Sequence, residues 1–371
     1  MKRDTKIDIL KGIAILLMVL GHTNFIGMHF IYMFHMAVFF MASGYFISDK
    51  SSETITNVRN TIIKRIKGLW LPCVIWNTIY TLLNNFFIQT NIYTTDAGVS
   101  AFLDPSLVSI GKTMSLKEMG VNIAKGLLMA GHTTLGGAFW FLRVLFYISV
   151  LYVIIDFCLK KILKNQSKVL IAQGIVSVVF LAIGYLMSLK NIEVFATDRC
   201  FTCYSLYYIG RLLHKLHKSM AEKLKLWHFA LLSVSGCTLV AILSCFGSIS
   251  IGSNNYVNPL FMLVASLGGW FFLFGISGLL ENVKLINSIF IVLGQNTLAL
   301  VLFHFLCFKP INLIVSLVYD WPLSTVSGFP VNIVSRSWWI AFAISGTIIP
   351  IGIWLVWKKV KGALFCKQKT P

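Results

Sequence analysis

Long apolar stretches alternate with short polar segments along the chain. A helix that crosses about 30 Å of hydrocarbon needs about 20 mostly apolar residues. The runs that meet this requirement are 8–26, 29–48, 68–89, 139–159, 168–188, 200–216, 227–247, 257–279, 287–308 and 336–357. The pattern predicts an all-α fold, a polytopic integral membrane helix bundle with about ten transmembrane helices.

Two segments depart from this regular alternation. Residues 310–319 are apolar but short, which is typical of a helix continuation or a re-entrant segment. Residues 90–138 are mostly polar and predict a long loop with short helices. The length fits one helical bundle with connecting loops, so we expect residues 1–371 to form a single membrane domain. No internal repeat is visible.

Composition supports a lipid-embedded protein. The chain is 57% hydrophobic and only 12% charged, with a mean hydropathy of +0.79. Soluble proteins contain about 25% charged residues. The formal net charge is +19, which in a soluble protein would suggest a nucleic-acid partner. In a membrane protein, cytoplasmic loops collect Lys and Arg, so no nucleic-acid partner is predicted.

The distribution of basic residues predicts the orientation in the membrane. With the N-terminus inside, 23 Lys and Arg residues fall in inside segments and 7 in outside segments. The excess predicts that both termini are cytoplasmic. Residues 90–138 are then an extracytoplasmic loop, and 358–371 form a basic cytoplasmic tail.

The cysteines do not predict a metal site. Cys200 and Cys203 form a CxxC pair, but no second such pair or histidine pair completes a zinc site. Most of the other cysteines lie within apolar runs, where a free cysteine behaves as a small buried hydrophobe.

Ionisable residues in the first apolar run are functional candidates, because charged groups within a membrane are costly. Asp8 and Lys11 are three residues apart, so they share a helix face and are predicted to pair. Lys11 and His22 lie on nearly the same face, about 16 Å apart along the axis. We therefore expect a functional role for His22, near the outer side of the membrane.

Three further histidines share this outer depth by topology. His35 lies near the outer end of the second run, His304 lies late in the ninth run, and His132 lies in the long polar segment. Topology predicts their depth and not their lateral proximity. A lone membrane histidine also serves as an interhelical hydrogen-bonding group, so both interpretations stay open for His35 and His304. For His132, which lies in a solvated loop, the absence of a functional role is favoured.

Basic residues at or within helices form a second group of candidates. Lys64, Arg65 and Lys67 precede the third run. They suit either anionic lipid headgroups or a phosphorylated ligand. Arg143 and Arg211 lie within helices and need partners, for which a lipid or ligand anion is one option.

Several stretches of the chain together are typical of a known protein family. In chain order they are Asp8-Ile-Leu-Lys11-Gly12 through Gly21-His22, Phe34-His35-Met36 through Gly44-Tyr45, Lys64-Arg65 to Pro72, Trp140-Phe141-Leu142, Tyr208-Ile209-Gly210-Arg211, and Gly294-Gln295-Asn296-Thr297 to His304. The chain thereby resembles the acyltransferase-3 family of bacterial membrane O-acyltransferases, especially its polysaccharide and sugar acetyltransferase branch. Two positions depart from the family pattern. Lys11 stands where the family usually has arginine, and Gly68 stands at the second basic position of the third-helix motif.

The resemblance implies an O-acetyltransferase of the bacterial inner membrane. The acyl donor would be cytoplasmic acyl-CoA, acetyl-CoA by default, and the acceptor a hydroxyl of a surface polysaccharide or its lipid-linked precursor. Lys11, Lys64, Arg65, Lys67, Arg143 and Arg211 would then bind the anionic donor. We expect His22 to act as general base and His35 or His304 to orient the hydroxyl or support the oxyanion. Direct transfer and an acetyl-histidine intermediate both remain open.

Two other functional classes compete with this hypothesis. Buried histidines and arginines also suit a proton-coupled transporter of small organic anions, although no inverted repeat is apparent. A membrane scaffold or regulatory domain is the third class.

Overall fold

The structure, a computed structural model, describes residues 4–194, 197–220, 224–334 and 337–366. Helices make up most of the described chain. They are α1 (Thr5–Gly21), α2 (Met28–Tyr32), α3 (His35–Tyr45), α4 (Ile55–Arg65), α5 (Leu71–Leu82), α6 (Asn84–Gln89), α7 (Leu116–Leu127), α8 (Phe139–Leu163), α9 (Gln166–Leu189), α10 (Thr197–Met220), α11 (Leu226–Ser244), α12 (Pro259–Leu280), α13 (Lys284–Gln295), α14 (Thr297–Val318) and α15 (Trp339–Cys366).

Shorter elements connect these helices. The short 3-10 helices span Asp49–Ser52, Ala97–Ala101, Pro105–Leu107, Thr134–Gly136, Ile251–Ser253 and Leu323–Ser327. A π-helical turn, Ile66–Trp70, joins α4 to α5 without a break. Two short strands, β1 (Ile249–Ser250) and β2 (Asn255–Tyr256), pair antiparallel in the part of the chain that the structure describes.

The helical membrane bundle predicted from the sequence is confirmed. Within the described residues, six helices are long and apolar enough to cross a membrane: α8, α9, α11, α12, α14 and α15. The other predicted runs form helices that are shorter, interrupted or more polar. The run 29–48 divides into α2 and α3, and the run 287–308 divides at Asn296 into α13 and α14.

Two ambiguous segments are resolved by the structure. Residues 310–319 continue α14 to Val318, even though Pro310 lies inside that helix. The predicted tail 358–371 continues α15 to Cys366, and residues 367–371 lie outside the described residues. The prediction that 90–138 is a loop with short helices is also confirmed, because it contains α7 and short 3-10 helices.

The chain divides into two compact units. The first unit is drawn from Met1–Met18, His29–Ile75 and Phe139–Gln295. The second unit is drawn from Val19–Met28, Trp76–Ala138 and Asn296–Pro371.

Close helix contact in the first unit depends on two glycines. A Cβ atom on Gly44 of α3 would overlap the carbonyl group of Tyr207 in α10. A Cβ atom on Gly210 of α10 would likewise overlap the carbonyl group of Met41. Small residues allow membrane helices to approach through their backbones, so these glycines determine the spacing of α3 and α10.

The second unit is organised around α14. Tyr80 donates a hydrogen bond to the carbonyl oxygen of Leu302 at 2.9 Å, and the rings of Trp76 and Phe303 meet edge to face at 4.5 Å. In the long segment of this unit, Ser115 and Glu118 form a capping box at the start of α7. This unit also contains two of the predicted catalytic histidines.

Candidate functional site

His22 and His304 lie side by side in the second unit. His22 directly follows the last residue of α1, while His304 lies two turns into α14. Their ring centroids are 5.4 Å apart with an interplanar angle of 26°. The fold therefore brings together two of the three histidines that the sequence nominates for catalysis.

The hydrogen bonding of His304 determines which nitrogen carries its proton. Nδ1 lies 2.6 Å from the carbonyl oxygen of Leu300, one turn earlier in α14. A carbonyl oxygen only accepts, so Nδ1 carries the hydrogen of the neutral ring. Nε2 is then an unprotonated acceptor, and it is buried with no hydrogen-bond partner among the described residues.

Aromatic rings form one wall of this histidine pair. The ring of Phe305 lies 4.9 Å from that of His22 and 4.0 Å from that of His304. Phe329 packs behind Phe305 at 4.6 Å. His304 is fully buried, whereas His22 is only half-buried. The pair thus combines a water-excluded basic nitrogen with a more accessible imidazole.

His35 belongs to the first unit and has a similar local arrangement. Its Nδ1 lies 2.8 Å from the carbonyl oxygen of Ile31, and its ring meets that of Tyr32 edge to face at 5.1 Å. Here too the carbonyl determines the tautomer, leaving Nε2 as the acceptor of the neutral ring. His132, the fourth histidine at this predicted depth, is exposed, and its Nδ1 lies 3.2 Å from the carbonyl oxygen of Thr133.

The predicted pairing of Lys11 with Asp8 is confirmed. Lys11 Nζ lies 3.1 Å from Asp8 Oδ1, and the same ammonium lies 5.5 Å from the centroid of the Phe46 ring. The side chain of Lys11 remains partly accessible, while Asp8 is buried. Lys11 can therefore present part of its charge to a ligand without leaving Asp8.

Arg211 is anchored at the junction that follows α3. It forms an ion pair with Asp49 and donates to the carbonyl oxygen of Ile47 at 2.9 Å. Lys160 near the end of α8 bonds the carbonyl oxygen of Asp49 at 2.7 Å. Burial tends to raise the pKa of Asp49, but its hydrogen bond to Arg211 and the surrounding cations outweigh this and hold the pKa below its ordinary value.

Arg65 and its neighbouring lysines lie where α4 passes into the π-helical turn. Arg65 donates to the hydroxyl of Tyr207 at 3.3 Å, while Lys64 and Lys67 are exposed. Single π turns occur often at functional sites. This arrangement leaves the two lysine side chains available to solvent or to an anion.

Arg143 lies near the opposite end of α8 from Lys160. It is the fifth residue of α8 and is buried, with 7% of its surface exposed. Lys160, which contacts the Arg211 ion pair, lies 17 residues further along the same helix, or about 25 Å at ~1.5 Å per residue. Arg143 therefore lies far along α8 from the end of that helix that contacts Asp49.

Several contributing residues were not identified from the sequence. Asp49, Tyr207 and Phe305 contact the nominated residues but belong to no recognisable motif. Asp49 has a sequence signal, since it is an acidic residue directly beyond an apolar run. The other two are aromatic residues among many, so their roles become visible only in three dimensions.

The described residues contain no group of three or more His, Cys, Asp or Glu side chains arranged to hold a metal ion. Cys200 and Cys203 are buried and free.

The model of a family described as an acyltransferase domain matches residues 4–357, nearly the whole chain. No curated protein and no solved structure matches this chain.

Proposed function

The chain belongs to the acyltransferase-3 family, and we propose that it transfers an acetyl or other short acyl group from acyl-CoA to a carbohydrate hydroxyl. Membership and the apolar helices together make it a multi-pass membrane acyltransferase. The acceptor would be a cell-surface glycan or its lipid-linked precursor, and the donor acetyl-CoA by default.

The contact between His22 and His304 carries this proposal. A hydroxyl attacks a thioester efficiently only when a base with a pKa near the working pH removes its proton. His22 would take that proton as the hydroxyl oxygen bonds to the thioester carbonyl carbon. The carbon–sulfur bond then breaks, and the leaving thiolate takes the proton from the histidinium.

The tautomer of His304 favours a particular supporting role. Its neutral ring offers only a lone pair at Nε2, so it can accept a proton or a hydrogen bond. Stabilising an oxyanion needs a donor, which this ring supplies only when protonated. The same reasoning applies to His35, whose Nδ1 faces Ile31. Either ring is therefore suited to orienting the hydroxyl or accepting its proton, and not to donating to an oxyanion.

The donor would bind to the basic residues of the first unit. Acyl-CoA is a polyanion, and arginine and lysine are the side chains that bind phosphate. Lys11, Lys64 and Lys67 are at least partly accessible, and Arg65 and Arg211 are held by Tyr207 and Asp49. Arg143, at the start of α8 and about 25 Å along that helix from Lys160, is not part of the donor site that we propose.

We propose from the family that the protein lies in the bacterial inner membrane, and from the uneven distribution of its basic residues that both termini are cytoplasmic. Single-cysteine labelling tests this orientation at two exposed positions. Ser106→Cys should react with a membrane-impermeant maleimide in intact cells, and Lys164→Cys only after permeabilisation. The reverse pattern would contradict the proposed orientation.

The function itself is tested with purified protein in detergent and acetyl-CoA. Wild type should hydrolyse the thioester or transfer the acetyl group, and His22→Ala should lose that activity. Lys11→Ala should show a higher KM for acetyl-CoA. His29→Ala is the matched control, because His29 is exposed and its Nε2 lies 2.9 Å from the carbonyl oxygen of Ser244. Full activity of His22→Ala would refute the mechanism. Wild type that neither binds nor turns over acyl-CoA would favour the anion-transporter alternative.

A further inference from the structure

The second unit contains a buried lysine whose charge the proposed chemistry does not use. Lys309 lies in α14, five residues after His304, and only 4% of its surface is exposed. No carboxylate lies within ion-pairing distance of it among the residues that the structure describes. A buried charge in a membrane protein is costly and is therefore a functional candidate.

Hydrogen bonds to three backbone carbonyl groups offset the free-energy cost of burying this ammonium group. Lys309 Nζ donates to the carbonyl oxygens of Val326, Ser327 and Gly328 at 3.2, 3.0 and 2.9 Å. An ammonium group has three protons, so this set uses its full donor capacity. All three acceptors belong to one short stretch of chain, which the lysine thereby ties to α14.

Asn312, on the next turn of α14, reinforces the same attachment. Its Nδ2 donates to the carbonyl oxygens of Val326 and Gly328 at 2.9 and 3.0 Å, and its Oδ1 accepts from the backbone of Asn332 at 3.1 Å. We call Lys309, Asn312 and the carbonyl groups of 326–328 the carbonyl clip.

The carbonyl clip holds a residue that packs behind the histidine pair. Phe329 directly follows Gly328, and its ring lies 4.6 Å from that of Phe305. Phe305 in turn contacts both His22 and His304. Phe329 is also attached on its other side, because its backbone N–H donates to the carbonyl oxygen of Leu107 at 2.9 Å.

We propose that Lys309 is a positioning residue, which holds Phe329 and Phe305 against His22 and His304 through the carbonyl clip. This inference rests on the proposed function for its catalytic consequence. The clip keeps the aromatic wall in one place, so that water stays away from His304 Nε2 and the two imidazoles keep their mutual orientation. A displacement of about 1 Å in such a site can cost about 100-fold in rate.

A ligand-binding role for Lys309 is less consistent with its surroundings. The lysine lines a cavity of about 480 Å³, together with Cys307, Leu313 and Ile349 among others. An anion in this cavity would have to draw the ammonium away from carbonyl groups that already satisfy it. The geometry therefore favours the attachment of the 326–328 stretch over the binding of an anion.

The test compares Lys309→Met, which keeps the length of the side chain but removes its donors, with wild type. Lys309→Arg keeps the charge and donors and should retain most of the clip. Lys125→Met is the matched control, since Lys125 is an exposed lysine of the same unit. If Lys309→Met does not insert or fold, Asn312→Ala removes two bonds of the clip without removing a charge and takes its place.

Two measurements do not depend on enzyme activity. Hydrogen–deuterium exchange should become faster in residues 323–332 of Lys309→Met. Carbethoxylation of His304 by diethylpyrocarbonate, followed by peptide mass spectrometry, should also become faster, because the reagent attacks the unprotonated nitrogen. Unchanged exchange and unchanged modification in Lys309→Met would overturn the proposal.

The third measurement is steady-state acyl transfer. Lys309→Met should lower kcat by about 10- to 100-fold and leave KM for acyl-CoA within about twofold. Lys309→Arg should recover much of the loss, and Lys125→Met should match wild type. Faster exchange with an unchanged kcat would overturn the positioning role. An inactive wild type would refute the proposed function, and the first two measurements would still decide whether the clip shields His304.

Discussion

The carbonyl oxygen of Leu300 accepts a hydrogen bond of 2.6 Å from Nδ1 of His304. This one contact commits the neutral imidazole to a single tautomer and turns its other nitrogen into a base. The base is buried and lies beside the ring of His22. A backbone contact within one helix therefore prepares a basic nitrogen that the helix itself does not use.

The first prediction separates the two nitrogens of His304. In His304→Asn, the side-chain amide can still donate to Leu300, but it cannot take up a proton. We expect kcat to fall by about 100-fold or more, with thermal unfolding close to that of wild type. His304→Ala should lose both activity and stability. Near-normal turnover by His304→Asn would show that Nε2 is not needed as a base.

The second prediction concerns the exposed lysines beside the π-helical turn. Lys64→Ala and Lys67→Ala should each raise KM for acyl-CoA by about three- to tenfold and leave kcat unchanged, because they bind the donor equally in ground and transition states. The effect should weaken as salt is added. Lys190→Ala is the control, because Lys190 is another exposed lysine of the first unit. An unchanged KM in both variants would remove these lysines from the donor site.

The third prediction addresses the contact between α3 and α10. Gly44→Ala should force the two helices apart, because the added methyl group would overlap the carbonyl of Tyr207. Overpacking of this kind costs about 1–3 kcal/mol or more. Gly352→Ala is the matched control, since nothing lies within 4 Å of a Cβ at that position. Thermal unfolding in detergent should show a lower Tm for Gly44→Ala alone. Equal Tm values for the two variants would mean that the helices can accommodate the methyl group.

The fourth prediction is a pH effect confined to the start of α7. Glu118 accepts hydrogen bonds from Lys112 and from Ser115, and these bonds lower the pKa of the Glu118 carboxyl group to about 2. Because the folded pKa is depressed, the stabilisation is complete above the ordinary carboxyl pKa and is lost as the pH falls from about 4.5 towards 2.

Pepsin digestion of residues 112–127 measures this effect. Cleavage of wild type relative to Glu118→Gln should accelerate as the pH falls through this window, since glutamine keeps the capping box without a titratable group. Parallel pH profiles for the two proteins would show that the charge of Glu118 does not stabilise the cap.

Much of this architecture could be predicted from the sequence because its causes are local. Apolar runs long enough to cross a bilayer predict helices, and three-residue spacing predicts the Asp8–Lys11 pair. The motif order along the chain was sufficient to identify the acyltransferase-3 family. The same patterns nominated His22, His35 and His304, since each is an ionisable residue within or beside an apolar run.

The sequence could not determine which of these residues meet, because lateral packing depends on side chains distant in the chain. Topology placed His22, His35 and His304 at one depth, but only the fold pairs His22 with His304. It likewise pairs Arg211 with Asp49, and attaches Lys309 to three carbonyl groups of one turn. Periodicity reports the environment of a residue along its own helix. Contacts between helices follow from how their surfaces fit together, and only the tertiary structure decides them.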